Sequence, residues 1–487
     1  MAPPEQDLVA RLGDWTRGTG PLYARLADAI GRLVDSGVLA PGTLLPPERR
    51  LAPLLHVSRT TVVAAYDRLK RTGRLVSRQG SGTRVAPNVG GPVGASAVVD
   101  RGPNDVFRSL LADPDATIDL SAACPPVSPV VVEALATIDP RDLVALTSSH
   151  GYQPAGLPAL RQAVADHLTA TGLATTADEV IVTTGAQQAI SLVASLFVRP
   201  GDAVLVEEAT YPGALDAFRA AGARLVAVPL DEGGLRVDAV ADLVDRAQPR
   251  LLYTVPTYQN PTASVMDSPR RRSLARLASA AGVPIVEDTA IADLHLSGPV
   301  PPPPIAAFDG DAVLCVGSLG KVLWGGLRVG WVRAPEATVA RLARLRAVAD
   351  LGGPLLSQAI GARLVPRIDE AVRHRTEHLL KSRDRLAAEL SALLPEWTFR
   401  VPDGGTVLWA RLPAGDARSF AQVALRFGVA IVAGPALSPT GGFTDHVRIP
   451  FIAEPDALGE AVRRLAAAWR AYAPGVGTDF TSEPVLG

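Results

Sequence analysis

The sequence predicts a multidomain protein in which a small α+β unit precedes a larger α/β unit. Helical spacing of apolar residues, followed by a short alternating segment, marks the first unit before about residue 86. Short apolar runs that alternate with helical patterns mark the second unit after about residue 118. A chain of 487 residues, 47% of them hydrophobic, is long enough for two or three domains with buried cores.

Three helices and a hairpin are predicted at the N-terminus. The first helix, residues 22 to 39, has an apolar face that includes Leu22, and "APGTLLPPERR" ends it before a second helix at about residues 47 to 55. The third helix follows Ser58, which suits a helix N-cap, and stops at Gly73. The segment "RLVSRQGSGTRV" alternates around a glycine turn, as two paired strands do. Residues 1 to 86 therefore predict a winged helix-turn-helix.

Positive charge is concentrated in this N-terminal unit. The whole chain has a formal net charge of -1, but residues 48 to 84 hold nine Arg or Lys against two acids, a local charge of +7. Neutralising phosphates requires such a concentration of cations, and Arg59 in the third helix can reach a base edge in the major groove. We expect double-stranded DNA as a partner; a solvated charged face is the alternative.

A linker separates the two units. Residues 87 to 117 are rich in Gly, Pro and small residues, with at most one short helix near residues 106 to 111. Residues 118 to 473 alternate strands such as "AVLVEE" and "AVLCVG" with helices, which predicts a mainly parallel sheet. From about residue 354 the pattern indicates a smaller α+β unit, and residues 474 to 487 indicate a loose tail.

Cysteine content and hydropathy indicate a cytoplasmic protein. The chain has two cysteines, which suits a reducing compartment and excludes a disulfide framework. The N-terminus carries charges where a signal peptide has an apolar core, and no run approaches about 18 apolar residues. We expect no membrane contact.

One lysine stands out in a chain that otherwise uses arginine for its cations. Lys321, in "SLGKVLWGGLRVGW", is one of three lysines against 45 arginines. An amine can lose its proton and form an imine, whereas a guanidinium stays protonated. A solvated loop lysine is the alternative for this residue taken alone. However, small and polar motifs follow the predicted strands, at the edge where open α/β sheets bind ligands: "TTGAQQA", "TYPGA", "PTYQNPT", "EDTAIAD" and "GSLGK".

These motifs, in this order, resemble the pyridoxal-phosphate enzymes of the aspartate aminotransferase fold, fold type I. The N-terminal unit resembles the GntR family of winged-helix repressors. The two units joined by a linker are similar to the MocR subfamily of bacterial transcription regulators, over about residues 12 to 473. The resemblance implies an α/β PLP-dependent transferase fold with large and small domains, and pyridoxal 5'-phosphate (PLP) as the cofactor.

The resemblance assigns a role to each motif residue. Lys321 is implied to form an imine with the cofactor aldehyde. Asp288 is implied to keep the pyridine nitrogen protonated, because an opposite charge raises that nitrogen's pKa. Asn260 donates to the phenolic oxygen of the ring, and Tyr211 stacks on the ring. Taken singly, each residue also has a structural explanation as a helix cap, core side chain or turn.

The cofactor phosphate and a substrate carboxylate need positive sites. The phosphate site is expected to combine the amides of a helix N-terminus with a hydroxyl and a guanidinium, at Gly185, Ala186, Gln187, Ser318 and Arg328. By resemblance, Arg448 clamps a substrate carboxylate, and Tyr152 reaches the phosphate of the neighbouring subunit. This implies a homodimer in the family's head-to-tail, domain-swapped arrangement.

The resemblance to GntR repressors implies which residues contact operator DNA. Operator readers are expected on two helices and on the wing, at Arg49, Ser58, Arg59, Thr60, Thr61, Gln79 and Gly80. Arg59 is the expected base reader, and Arg78 and Arg84 on the wing strands are placed for phosphates. Val63 stands where such repressors often have another arginine, so we expect few base contacts from this helix.

Departures from the family pattern bear on catalysis. Ala290 stands two positions after Asp288, where related regulators usually carry a tyrosine that assists the phenolic oxygen. "NPTA" and "LWGGLR" also differ from the usual NPTG and from the Pro-Gly pair before Leu-Arg. Because Lys321, Asp288 and Asn260 remain, we expect the imine to form, with little or no physiological turnover.

Three functions stay open at this point. The first is a transcription regulator that senses PLP, a small amino-group effector, or both. The second is an active PLP-dependent aminotransferase with an accessory DNA-binding domain, and the third is a binding module that has lost the cofactor. The basic N-terminal segment favours the first, and Lys321 argues against the third. We expect a cytoplasmic regulator that is nucleoid-associated when bound to DNA.

Overall fold

The computed structural model describes residues 8–9, 11–13, 15–16, 20–35, 37–78, 82–86, 117–148 and 150–472. The predicted linker, except for Thr117, and the predicted tail lie outside these residues. The short helix expected near residues 106 to 111 lies outside them as well. Among the helices of the described ranges, none combines the length and apolar character needed to span a bilayer.

A winged helix-turn-helix, called the head below, forms the N-terminal unit. Its elements are α1 (Leu22–Asp35), α2 (Glu48–Leu54), α3 (Arg59–Arg71) and the antiparallel hairpin of β1 (Leu75–Arg78) and β2 (Gly82–Val85). Ser58 caps α3, because its side chain accepts a hydrogen bond from Thr61 N at 3.1 Å. Leu22, expected on the buried face, is 37% exposed. It is the first residue of α1, and its side chain leans back past the helix end.

The head has a hydrophobic core of its own. On α3, Val62 and Tyr66 are buried, and the Tyr66 hydroxyl donates to Pro46 O at 2.8 Å. Four apolar residues that precede α1 complete this core: Leu8, Val9, Leu12 and Trp15. The sequence did not predict their packing, because so short a stretch shows too few turns for a helical period to be recognised.

The larger unit contains two main sheets and twelve α-helices in the described part of the chain. Its strands are β3 (Ile118–Leu120), β4 (Val180–Thr183), β5 (Ala203–Glu207), β6 (Arg224–Val228), β7 (Leu230–Asp231), β8 (Gly234–Leu235), β9 (Leu251–Thr254), β10 (Ile285–Asp288), β11 (Val313–Ser318), β12 (Gly330–Arg333), β13 (Thr398–Phe399), β14 (Val407–Arg411), β15 (Val429–Ala433) and β16 (His446–Pro450). Its helices are α4 (Pro129–Ala136), α5 (Pro140–Ala145), α6 (Pro158–Ala170), α7 (Ala186–Phe197), α8 (Pro212–Ala220), α9 (Val237–Ala247), α10 (Ser268–Ala281), α11 (Glu336–Ala349), α12 (Leu355–Leu364), α13 (Ile368–Leu393), α14 (Ala417–Arg426) and α15 (Pro455–Tyr472).

The large sheet has seven strands in the order β4, β12, β11, β10, β9, β5, β6. All of them run parallel except β12, which is antiparallel to both β4 and β11. β4, β5, β9 and β10 are buried along their whole length, which is why they appear in the sequence as continuous apolar runs. The expected mainly parallel α/β fold is confirmed.

The small sheet has five strands in the order β13, β14, β16, β15, β3. β3 comes from the start of the larger unit, about 300 residues before its neighbour, and pairs parallel with β15. This strand was not predicted, because three residues are too few to show an alternating pattern. α14 packs on β15, and α15 packs on α13. We call this sheet with α13, α14 and α15 the small unit.

The head rests on the small unit of the same chain. His56, in the turn between α2 and α3, offers its carbonyl oxygen to the Arg426 guanidinium at 2.9 Å. Its ring lies 4.6 Å from the Tyr472 ring, centroid to centroid. Arg426 ends α14 and Tyr472 ends α15, so the turn of the helix-turn-helix contacts the ends of two helices.

Candidate cofactor and DNA-binding sites

The carboxyl ends of five parallel strands bring the predicted motifs to one edge of the large sheet. β4 leads to Gly185, β5 to Tyr211 and β9 to Asn260, while Asp288 ends β10 and Lys321 follows β11. Open α/β sheets bind ligands at this edge, since loops and helix N-termini meet there. The fold therefore gathers these residues, which are up to 136 positions apart in the sequence.

Lys321 is held inside the protein by a backbone carbonyl. Its Nζ donates a hydrogen bond to Ala123 O at 2.6 Å. Burial lowers the pKa of the Lys321 amine, and the nearby Asp288 carboxylate opposes this shift only in part. The amine therefore loses its proton more readily than an exposed lysine, as attack on a carbonyl requires. Ala123 could not be predicted as a contact of Lys321, because every residue has a backbone carbonyl.

Asp288 is buried and fixed by two donors. Ala290 N donates to one carboxylate oxygen at 3.0 Å, and the Tyr253 hydroxyl donates to the other at 2.7 Å. Burial raises the pKa of Asp288, whereas both hydrogen bonds and the Lys321 amine favour its ionised form. An ionised carboxylate here can hold a protonated ring nitrogen. Sequence reasoning missed Tyr253, whose signal was a phenol within the apolar run "LLYTVP".

Asn260 and Arg448 lie together, although one belongs to the large sheet and the other to the small unit. The Arg448 Nη1 is 3.5 Å from Asn260 Oδ1, and its Nη2 donates to Ser121 O. Burial lowers the pKa of Arg448 to about 10, so the guanidinium remains charged at neutral pH. Its buried Nε has no hydrogen-bond partner within the described ranges. A ligand carboxylate would supply the acceptor that this nitrogen lacks.

Tyr211 stands at the N-terminus of α8, directly after the loop that follows β5. Burial raises the pKa of its hydroxyl, and the Asp288 carboxylate raises it further. Tyr211 therefore stays a neutral phenol, whose ring can lie against a flat ligand.

A cradle for an anion forms where β4 turns into α7. Gly185 has φ +115°, and a Cβ at this position would lie 3.4 Å from the Arg328 guanidinium. The first amides of α7, at Ala186 and Gln187, have no helical acceptor. Ser318 Oγ accepts from Gly320 N at 3.1 Å and donates to Val329 O at 3.4 Å, so its hydroxyl would have to leave that long hydrogen bond to donate to an anion. This donor set and the space reserved by Gly185 fit the phosphate of PLP.

Tyr152 differs from the other predicted site residues because it is exposed. Its side chain is 57% accessible, and its ring lies 5.7 Å from that of His150. The next residue, Gln153, runs against Gly352, where a Cβ would lie 2.5 Å from Gln153 O. The neighbouring Leu351 is 46% exposed, so two large apolar side chains face outward beside the site.

The expected base-reading residues lie on the surface of the head. Arg49, Ser58, Arg59 and Thr60 are exposed, and Thr61 is half-buried. Ser58 Oγ lies 2.7 Å from Thr60 Oγ1 and 2.8 Å from Thr61 Oγ1, so three hydroxyls form one cluster at the start of α3. On the wing, Arg84 Nη1 donates to Gly42 O at 3.0 Å. The Arg78 side chain, Gln79 and Gly80 lie outside the described residues.

Part of the positive charge of the head is neutralised locally. Arg68 pairs with Asp28 at 3.1 Å, Arg74 with Asp35 at 2.8 Å, and Lys70 with Asp67 at 3.2 Å. The local charge of +7 therefore overstates the field of the head, because Asp28 and Asp35 on α1 precede the counted residues. Arg49 and Arg59 make no ion pair within the described part of the chain, which leaves them as the cations of the reading surface.

Comparisons with known proteins agree with this architecture. Residues 117–465 match the family "Aminotransferase class I and II", and residues 22–85 match "Bacterial regulatory proteins, gntR family". The HTH-type pyridoxine biosynthesis transcriptional regulator PdxR of Corynebacterium glutamicum is 30% identical, over 78% of this chain and 81% of its own. The uncharacterised HTH-type regulator YisV of Bacillus subtilis is 29% identical, over 80% and 84%. The probable rhizopine catabolism regulatory protein MocR of Rhizobium meliloti is 30% identical, over 65% and 66%.

Solved structures give the same result for the larger unit. The α-aminoadipate aminotransferase LysN of Thermus thermophilus, complexed with N-(5'-phosphopyridoxyl)-L-leucine, matches with a TM-score of 0.68 and 30% identity, over 75% of this chain and 95% of its own. The aminotransferase fold and such complexes imply pyridoxal 5'-phosphate as the cofactor of this chain. The chain belongs to the MocR-type members of the GntR regulators, PLP-binding transcription regulators in which a winged helix is fused to an aminotransferase class I and II domain.

Proposed function

We propose that this chain reads operator DNA with its head and senses PLP, or an amino compound that meets PLP, with its larger unit. The observation that carries the proposal is the buried Lys321 amine, beside Asp288 and Arg448, in a chain whose head exposes Arg59 at the start of α3. An enzyme without a regulatory task needs no such head. As a DNA-bound regulator, the protein would work in the cytoplasm, at the nucleoid.

Each site residue has one task in this proposal. When bound, PLP supplies an aldehyde and an electron-withdrawing ring. Lys321 presents a neutral amine to the aldehyde, and Asp288 holds the proton on the ring nitrogen. Asn260 donates from its amide to the phenolic oxygen, and Tyr211 covers one face of the ring. The cradle at Gly185, Ala186, Gln187, Ser318 and Arg328 binds the phosphate.

Arg448 would bind the carboxylate of the effector. It is 2% exposed and charged, and its Nε lacks an acceptor in the described part of the chain. A buried charged donor without a partner costs free energy, which a carboxylate relieves. This supports an effector that carries an amino group for the PLP site and a carboxylate for Arg448, the chemistry of an amino acid.

We infer that turnover is low, and an active aminotransferase is the second candidate. Ala290 contributes a backbone N–H to Asp288 but only a methyl side chain, so the phenol that assists the phenolic oxygen in related regulators is missing. The intact Lys321, Asp288 and Arg448 favour the second candidate. Release of a keto acid from amino acids under multiple-turnover conditions decides between the two.

The proposed assembly is a head-to-tail homodimer in which each head contacts the partner's larger unit. Tyr152 and Leu351 expose apolar surface beside the cofactor site, where a second subunit would bury it. The contact of His56 with Arg426 and Tyr472 is one that two copies can exchange, because domain swapping preserves the contact and changes only the chain that provides it. Two heads would bind repeated or inverted half-sites.

Mobility-shift titrations test the proposed function. Operator DNA is titrated with protein that has been stripped of PLP, then with PLP, then with PLP and a set of amino acids. We expect PLP or one amino acid to change the DNA dissociation constant at least about fivefold, the lower end of typical allosteric coupling. Reduction with borohydride followed by peptide mapping should locate the cofactor on Lys321. A DNA dissociation constant that changes with neither PLP nor any of the amino acids would contradict the sensing role.

A further inference from the structure

A buried carboxylate, outside the predicted site, connects two loops that face the cofactor. Glu207 ends β5 and is 1% exposed. One of its oxygens accepts from the Thr210 hydroxyl at 2.7 Å and from Gln259 Nε2 at 2.8 Å. The other accepts from the Thr254 hydroxyl at 2.7 Å and from Val255 N at 2.9 Å.

Three of the four donors lie in the two loops that carry ring-facing residues, and the fourth, Thr254, is the last residue of β9, where the second loop begins. Thr210 immediately precedes Tyr211, and the segment from Thr254 to Gln259 leads directly into Asn260. Glu207 therefore contacts the neighbour of each ring-facing residue. No other side chain in the described part of the chain accepts hydrogen bonds from both loops.

Gln259 is fixed in one orientation and adds a second, direct link between the two loops. Its Nε2 also donates to Ala209 O at 2.6 Å. Its Oε1 accepts from Thr262 N and from the Thr262 hydroxyl, each at 2.8 Å. Turning the amide over would break all of these hydrogen bonds, so Gln259 requires an acceptor at the Glu207 oxygen that it contacts, and Val255 N requires one at the other oxygen.

The ionised form of Glu207 is the one that fits. Burial raises the pKa of Glu207, whereas its four hydrogen bonds favour the carboxylate. Each oxygen accepts from one N–H that cannot reverse its role, Val255 N on one and Gln259 Nε2 on the other, so an amide NH2 does not fit at either oxygen. A buried charge that is fully hydrogen-bonded fixes the positions of its donors, because each lost bond leaves a group unsatisfied.

We propose that Glu207 is a positioning residue that holds Tyr211 and Asn260 in register with each other across the cofactor ring. The inference rests on the proposed roles of those two residues and assigns a further residue to the same site. In this proposal the loops of Tyr211 and Asn260 belong to one hydrogen-bonded unit, and the Glu207 carboxylate lies at its centre.

The test compares Glu207→Gln with Glu287→Gln. Glu287 is an equally buried carboxylate on β10, which accepts from Ile305 N at 2.9 Å and Ala306 N at 3.2 Å and pairs with Arg271 at 3.7 Å. None of these partners hydrogen-bonds to residues 208 to 212 in the described part of the chain, whereas Arg271 donates to Pro256 O at 3.1 Å and to Thr257 Oγ1 at 2.7 Å in the Asn260 loop. Residues 208 to 212 are therefore the segment that separates the two variants. Both variants place an amide among donors, so Glu287→Gln is the control for the cost of a disrupted buried carboxylate.

Two measurements separate positioning from general destabilisation. In the PLP-free protein, amide hydrogen exchange of residues 208 to 212 and 255 to 262 should accelerate together in Glu207→Gln, whereas residues 208 to 212 should stay unchanged in Glu287→Gln. The PLP dissociation constant should rise about tenfold or more in Glu207→Gln, as expected for a lost charged hydrogen bond, and rise less in the control. Melting temperatures should fall in both variants.

Contrary results are equally specific. Wild-type PLP affinity in Glu207→Gln, or equal loss in both variants, would overturn the proposal. If Glu207→Gln does not fold, Thr254→Val removes one donor and should accelerate exchange in the same two loops, and unchanged exchange would count against the proposal. A wild-type protein that binds no PLP refutes the proposed cofactor site, whereas the exchange measurement still tests the link between the loops.

Discussion

Lys321 illustrates how one residue position combines rarity, burial and charge. Two of the three lysines are surface ion-pair partners, Lys70 with Asp67 at 3.2 Å and Lys381 with Glu377 at 2.8 Å. Lys321 alone of these three bonds a backbone carbonyl beside a buried carboxylate. An arginine could keep the hydrogen bond, but its guanidinium could not supply a neutral nitrogen nucleophile.

Replacing Lys321 tests this assignment. We expect Lys321→Ala and Lys321→Arg to lose the visible absorption band of lysine-bound PLP, while circular dichroism shows the fold intact. Lys70→Ala and Lys381→Ala serve as controls and should keep the band. A band that survives in Lys321→Ala would place the cofactor on another group.

The pH dependence of PLP capture follows from the lowered pKa of Lys321. Only the neutral amine reacts, so the capture rate of PLP-free protein should rise with pH through a midpoint below the ordinary lysine value of 10.5. The free energy of unfolding should also rise with pH. Burial disfavours the charged amine, so the penalty is full at low pH and disappears as the pH rises from the folded to the unfolded pKa of Lys321. Stopped-flow absorbance between pH 6 and about 10 measures the midpoint. A midpoint at or above 10.5 would contradict the buried amine.

Arg59 and Arg84 should contribute to DNA binding in different ways. Arg59→Ala should cost about 1 to 3 kcal/mol on operator DNA and relax specificity at one base pair, because an exposed guanidinium at the start of α3 can pair with guanine. Arg84→Ala should weaken operator and scrambled DNA alike and lower the salt slope by about one unit. Gel-shift titrations on both DNAs decide. Equal losses on the two DNAs for Arg59→Ala would make Arg59 a phosphate contact.

At the scale of elements, adjacent strands supply groups that the sequence separates. Tyr253 on β9 donates to Asp288 on β10, and removal of its hydroxyl should raise the pKa of Asp288, since this hydrogen bond favours the carboxylate. Tyr253→Phe should therefore weaken PLP binding and shift its absorption spectrum toward an unprotonated ring nitrogen. Tyr66→Phe, which loses a buried hydrogen bond to Pro46 O at 2.8 Å in the head, is the matched control. Identical spectra in wild type and Tyr253→Phe would refute the coupling.

Strands and motifs differ in how far the sequence reveals them. The six parallel strands of the large sheet were predictable as apolar runs, four of them because they are buried along their whole length, whereas β12, which is equally buried, was not predicted. β3 was not predicted either, since its three residues become a strand only through pairing with β15. The roles of Glu207 and Tyr253 were not predicted for a related reason. Their partners lie on other strands or loops, and one sequence does not show which strands are neighbours. The ion pairs of Arg68 and Arg74 were not predicted, because their acidic partners lie 40 and 39 residues earlier in the chain.

At the scale of the whole molecule, the exposed apolar side chains near the cofactor site predict a dimer. Sedimentation at micromolar concentration should give the mass of two chains. Leu351→Asp should shift the equilibrium toward monomer, because it places a charge on the surface that a second subunit would cover. Leu351 has φ +59°, which aspartate tolerates, so the substitution should leave the backbone undisturbed. Val300→Asp, at a residue 80% exposed, is the control. A monomeric wild type would contradict the proposed assembly.

The contact at His56 connects the position of the head to that of the small unit. A single residue separates His56 from Ser58, the cap of α3, so the docking point and the reading helix move together. Arg426 ends α14, which packs on β15, and β15 is paired with the strand that holds Arg448. We expect that a carboxylate bound by Arg448 would move β16 together with β15 and α14, and through Arg426 and His56 would move α3. In a dimer this movement would change the distance between the two α3 helices. Half-sites on B-DNA recur about every 34 to 36 Å, so that distance decides which operators fit. Ligand binding would thus change which half-site spacing the dimer prefers in its operator.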